Sequence, residues 1–152
     1  MKILFAADHA GFDLKEKLVP FVHSLGYALE DLGAHSYNAD DDYPDLISLV
    51  ARRVSQEPSE LRGIVLGGSG QGEAMVANRF PRVRALTYYG GVSRIVPLSR
   101  EHNDANVLSI GARFVSEEEA KSAIEVWLAT PFSGVDRHAR RNNKIDAVIR
   151  QP

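Results

Sequence analysis

A chain of 152 residues fits one domain and, at that size, buries about two-thirds of its unfolded surface, enough for a core without metal or disulfide staples. Hydrophobic residues make up 44% and charged residues 25%, which excludes a disordered, collagen-like or coiled-coil chain. Cysteine is absent, so disulfides, thiolate metal sites and a cysteine nucleophile are excluded, and a net charge of -2 argues against a general nucleic-acid or membrane-surface binder.

The apolar run at the N-terminus, ending at Asp8-His9, is too short for a signal sequence or a membrane span and reads as a strand. Cytoplasm is the expected compartment. Four further apolar runs read as buried strands: Tyr27 to Leu32, Gly63 to Leu66, Arg84 to Tyr88 and Val107 to Ile110. Between them, helical spacing predicts helices over Phe12 to Leu25, Tyr43 to Val54, Gly72 to Arg79 and Val92 to His102. Ser116 followed by Glu119 forms a capping box that opens a helix through Trp127. A last helix is expected from Asp136 to Ile149, after the break at Thr130-Pro131-Phe132-Ser133-Gly134.

Strands alternating with helices predict βαβ units with right-handed crossovers. The expected fold is α/β: a three-layer, doubly wound parallel sheet of five strands, flavodoxin-like or Rossmann-like, with an added C-terminal helix. Ligands bind such sheets beyond the carboxyl ends of the strands, near the switch in strand order.

The third strand runs into Gly67-Gly68-Ser69-Gly70-Gln71-Gly72-Glu73, a turn whose backbone can approach a ligand closely and point N–H groups at an anion. It is neither a Walker motif nor a dinucleotide fingerprint. Glu73 either complements the helix dipole or acts as a general base beside an oxyanion hole. Asp8 and His9 either cap the next helix or bind polar ligand groups. The run Asp40-Asp41-Asp42 reads as a solvated loop without calcium-loop spacing, and Tyr43 before Pro44 places an aromatic hydroxyl at a cleft rim. His102 and Asn103 lie in a polar stretch, and the five histidines show no metal-binding pair, so no metal is expected. On the last helix Arg137 and Arg141, four apart, suit a phosphate dianion; a solvated basic helix is the plainer alternative. Arg150 continues that basic run.

Taken in order, Asp8-His9-Ala10-Gly11-Phe12, Asp42-Tyr43-Pro44, the Gly-rich turn with Ala77-Asn78-Arg79, His102-Asn103-Asp104-Ala105-Asn106-Val107 and Arg137-His138 with Arg141 resemble the ribose-5-phosphate isomerase B family over nearly the whole chain. The resemblance implies cofactor-free aldose–ketose isomerisation of a phosphorylated sugar in pentose phosphate metabolism, by a homodimer or tetramer, with no nucleic-acid or membrane partner. Ribose 5-phosphate is the expected substrate, with a tetrose or hexose phosphate as the alternative. Carried over by position, His102 would open the sugar ring with Asp8 bonding nearby. Tyr43 and Asn103 would contact the sugar, and the amides around Gly68, Ser69, Gly70 and Gly72 would stabilise an enediolate. His9, Arg113, Arg137 and Arg141 would hold the phosphate across a dimer interface, onto which the C-terminal helix (about 136–150) would pack.

Many family members carry a Cys base where this chain has Gly67; a second branch has Gly there and uses a Glu on the following helix, which matches Glu73. In that branch Ser69 would shuttle protons between the two sugar oxygens. The segment Tyr88-Tyr89-Gly90-Gly91 departs from the family pattern beside the site. A response-regulator receiver domain lacks its required acids and Lys here, whereas a nucleotide-binding sensor of universal-stress type remains as a rival with the same fold.

Overall fold

Successive side chains of a strand point to opposite faces, and in β1 (Lys2–Ala7) both faces are apolar. Ile3, Phe5 and Ala7 enter one core layer, while Leu4 and Ala6 enter the other. Such a strand can only sit in the middle of a sheet covered on both sides. The computed structural model, which describes residues 1–91 and 94–148, places it there.

The chain continues α1 (Phe12–Ser24), β2 (Ala28–Asp31), α2 (Tyr43–Gln56), β3 (Leu61–Gly67), α3 (Gln71–Ala77), β4 (Ala85–Tyr88), α4 (Ile95–Asn103), β5 (Val107–Gly111), α5 (Glu117–Ala129) and α6 (Asp136–Val148). All five strands pair in parallel, in the order β2-β1-β3-β5-β4. The predicted doubly wound α/β architecture is therefore present, with element ends within a few residues of the expected ones. Val92, Ser93 and residues 149–152, Arg150 included, lie outside the described residues.

The chain leaves β1 toward β2, then crosses back over it to β3. The switch in strand order thus falls between β1 and β3, and their carboxyl ends open a crevice there. Right-handed crossovers put α1, α4 and α5 on one face and α2 and α3 on the other. On the first face Leu18, Val22, Ile64, Leu66, Leu108, Ile110, Ile124 and Trp127 close the core; Ile47, Val50, Val54, Val65 and Val107 close the second. The Ser116–Glu119 capping box forms as read: Ser116 Oγ accepts the Glu119 N–H and the Glu119 carboxylate accepts the Ser116 N–H.

One charge is buried in this frame without having been foreseen. Lys15 on α1 is fully buried, with its ammonium bonded to Asp31 at the end of β2 and to Glu16 at 3.1 Å. The other Asp31 oxygen accepts the Gly33 N–H, and Gly33 and Ala34 bond to Ala7, next to Asp8.

Candidate active site

Beyond β3 the backbone turns through Gly67–Gly72 and is held against β5. Gly67 and Gly68 carbonyls accept the N–H groups of Ala112 and Arg113, and the Gly70 carbonyl accepts the buried Ser109 hydroxyl at 2.6 Å. In a trans peptide the next N–H points opposite the carbonyl, so the Gly68 and Ser69 amides point away from β5, where an oxyanion can meet them. Gly70 has φ of 76°, which a residue with a side chain adopts only at a cost. Helix α3 is only seven residues long, so the turn's amides, rather than a helix dipole, make the anion-binding edge.

Glu73, in the first turn of α3, is 4% exposed. Its carboxylate lies against Gly67: a Cβ placed on Gly67 would sit 1.9 Å from Oε1 and 2.8 Å from Oε2. Only a glycine leaves room for it. Burial pushes the Glu73 carboxyl above the ordinary value, its own backbone N–H opposes this, and the nearby charge of Asp8 adds to the rise. Tyr43 leans over the same turn, its ring Cζ 2.7 Å and its hydroxyl 2.9 Å from where a Cβ of Gly72 would stand.

Asp8 is buried beside this group and its Oδ1 accepts the N–H groups of Ala10 and Gly11 at 2.9 and 3.1 Å. His9 donates its backbone N–H to Asp41 Oδ1 at 3.0 Å, and its ring Nδ1 bonds the same oxygen at 2.7 Å. That hydrogen bond raises the His9 pKa above 6.5, while Arg113 nearby lowers it. Arg113 in turn lies over Gly68, its guanidinium 3.5 Å from the Cβ position. The Arg113 guanidinium thus flanks the anion-binding turn. Asp41 corrects the reading of Asp40-Asp41-Asp42 as a solvated loop: it orients His9, and its Oδ2 is buried with no partner among the described residues. No signal in the sequence separates it from its neighbours. Asp8, His9 and Asp41 place three ligand atoms within 4.8 Å of one another; Asp41 Oδ1 serves His9 and Asp8 Oδ1 serves two amides.

The remaining predicted residues lie elsewhere. Helix α4 returns the chain to the amino edge of the sheet, where the Asn103 carbonyl accepts Arg84 Nε at 2.8 Å just before β4. His102 and Asn103 therefore sit one strand length from Glu73, about 15 Å along β5. Asp8 does not reach His102 within one chain, because a helix following a parallel strand must run back to the strands' amino ends. Arg137 and Arg141 are exposed on α6, which packs on α4. The stretch from His102 to α6 also holds a residue not picked from the sequence. His138 is buried, with its ring 4.3 Å from that of His102.

Known proteins share this sequence pattern and this fold. A family model described as Ribose/Galactose Isomerase matches residues 3–145. The chain is 40% identical to ribose-5-phosphate isomerase B of Mycolicibacterium paratuberculosis over 141 residues, which is 93% of this chain and 87% of the relative. It is 37% identical to that of Escherichia coli over 147 residues, 97% of this chain and 95% of the relative. Among solved structures, Mycoplasma genitalium ribose-5-phosphate isomerase B with bound ribulose-5-phosphate superposes with a TM-score of 0.94 at 33% identity, covering 99% of this chain and 97% of the other. The Clostridium thermocellum ribose-5-phosphate isomerase B gives 0.91 at 39%, covering 99% and 98%. With the sequence pattern matched along nearly its whole length and the fold shared, the chain belongs to the ribose/galactose isomerase family.

Proposed function

We propose that this chain is a cofactor-independent aldose–ketose isomerase that interconverts ribose 5-phosphate and ribulose 5-phosphate through an enediolate, with Glu73 as the base. The observation that carries the base is the buried Glu73 carboxylate packed on Gly67, beside the Gly68 and Ser69 amides that point away from β5. A carbon acid next to a carbonyl is weak, so its proton is removed only by a desolvated base paired with stabilisation of the oxyanion. Glu73 takes the proton from C2 of the open-chain aldose. The turn amides around Gly68, Ser69, Gly70 and Gly72 hold the enediolate, Ser69 passes a proton from O2 to O1, and Glu73 returns its proton to C1.

His102, Asn103, Arg137 and Arg141 act in the site of a second copy. The distance of His102 and Asn103 from Glu73 within one chain and the exposure of all four residues on α4 and α6 support this reading, because a gap of about 15 Å excludes joint contact with one pentose. The dimer then places His9 and Arg113 of one chain and Arg137 and Arg141 of the other around the phosphate, and His102 at the ring oxygen. Tyr43 and Asn103 contact the sugar hydroxyls. Phosphate binding far from C2 orients the reacting carbons.

The test is Glu73→Gln, assayed on four-, five- and six-carbon sugar phosphates. Ribose 5-phosphate should be the best substrate of the wild type. The variant should lose on the order of 10²–10⁴ in kcat with little change in KM, and exchange of the C2 proton with solvent deuterium should slow in parallel. Wild-type exchange in the variant would remove Glu73 from the role.

A further inference from the structure

His138 is 6% exposed, although Arg137 beside it and Arg141 one turn on are exposed. Its ring is held at three points. Nδ1 lies 2.9 Å from Ser133 Oγ, Arg137 Nε donates to Nε2 at 3.2 Å, and the His102 ring stacks against it at 4.3 Å with planes tilted 45°. A guanidinium N–H can only donate, so Nε2 must offer a lone pair. The ring proton therefore sits on Nδ1 and goes to Ser133 Oγ. Burial, with His102, Arg137 and Arg141 close by, pushes the His138 pKa below 6.5, against a weaker opposite effect of the Glu101 carbonyl.

The surroundings are tied into one block. Ser133 N–H donates to the Glu101 carbonyl at 3.1 Å, and Asn142 Nδ2 donates to the His102 carbonyl at 3.3 Å. The end of α4 and the start of α6 are thus joined around the His138 ring.

We propose that His138 is a positioning residue: as a neutral Nδ1–H imidazole that does not touch the substrate, it sets the ring of His102 with one face and the guanidinium of Arg137 with Nε2. This rests on the roles proposed above for His102 and Arg137. A free arginine side chain gives up rotamer entropy when it clamps a phosphate, and an acceptor that already orients Nε removes part of that cost. Protonation of His138 would remove the acceptor and set a further cation against Arg137 and Arg141, beside His102.

Two substitutions separate the two contacts. His138→Phe keeps a ring against His102 and loses the acceptor; KM for ribose 5-phosphate should rise about tenfold, with kcat within about threefold of wild type. His138→Gln keeps an acceptor and loses the ring; kcat on ribose 5-phosphate should fall about tenfold, while a four-carbon aldose phosphate that cannot close a ring turns over as in wild type. Long-range ¹⁵N–¹H correlation on histidine-labelled wild type should show His138 neutral and protonated on Nδ1 at pH 6.5, whatever the variants do. An Nε2–H or charged ring, or equal losses in kcat and KM in both variants of an active enzyme, would overturn this role alone. A wild type without isomerase activity on any sugar phosphate would overturn the proposed function and this role with it.

Discussion

Replacing Gly67 by alanine puts a methyl group where the Glu73 carboxylate lies. The new Cβ would stand 1.9 Å from Oε1 and 2.2 Å from Cδ, against roughly 3.4 Å for ordinary contact, so the carboxyl must retreat by about 1.5 Å. A displacement of about 1 Å at a reacting group costs on the order of 10² in rate, which is about 2.7 kcal/mol of barrier. Gly67 φ is not in the left-handed region, so the backbone itself tolerates alanine. The expected outcome is a loss in kcat of about 10²-fold or more, with KM nearly unchanged because the phosphate contacts are remote. Solvent deuterium exchange at C2 should fall with it. Gly63→Ala serves as the control. Its Cβ would come 2.6 Å from Val50 Cγ1, deep in the core, so it should cost about 1–3 kcal/mol of stability without a selective loss of kcat. A Gly67→Ala enzyme with kcat within about threefold of wild type would refute the placement of the base.

Because the Glu73 carboxyl is raised by burial, its charged form is disfavoured in the fold: the penalty is absent below the unfolded value near ~4.3 and complete above the raised native one. Glu73→Gln should therefore melt higher than wild type at pH 7, with the gap closing toward pH 4; an equal gap at both would show that charge is not the cause. The Asp8 charge contributes to the rise, so Asp8→Asn should move the acid limb of kcat/KM to lower pH, and a limb that stays put or moves up contradicts that coupling. If two chains share each site, mixing inactive Glu73→Gln with inactive Arg141→Ala should restore activity, since each mixed dimer holds one intact site. Persistent inactivity after subunit exchange would confine the chemistry to one chain.

Much of this site was legible because its residues follow strands. Asp8 and His9 end β1, and the glycines end β3, where any doubly wound sheet binds its ligand. Glu73 could be singled out because it is the only carboxylate on the Gly-rich turn. Asp41 could not: it is one of three identical neighbours, and its bond to His9 spans 32 positions. His138 was likewise hidden among exposed basic residues of α6, since burial depends on which helix face meets α4.

The sequence by itself determined the element types, the two-faced apolar strands, the cap of α5 and the family pattern, because these rest on side-chain periodicity and local backbone chemistry. Only the tertiary structure decided where the pieces meet. Strand order is a matter of long-range pairing, and with β5 inserted between β3 and β4 the return along α4 carries His102 to the edge of the sheet opposite Glu73. Short-range patterns carry no information on that distance. The same packing laid the Glu73 carboxylate on Gly67, a contact between residues six apart, while Ser109 and the β5–α5 turn bond the carbonyls of Gly67, Gly68 and Gly70.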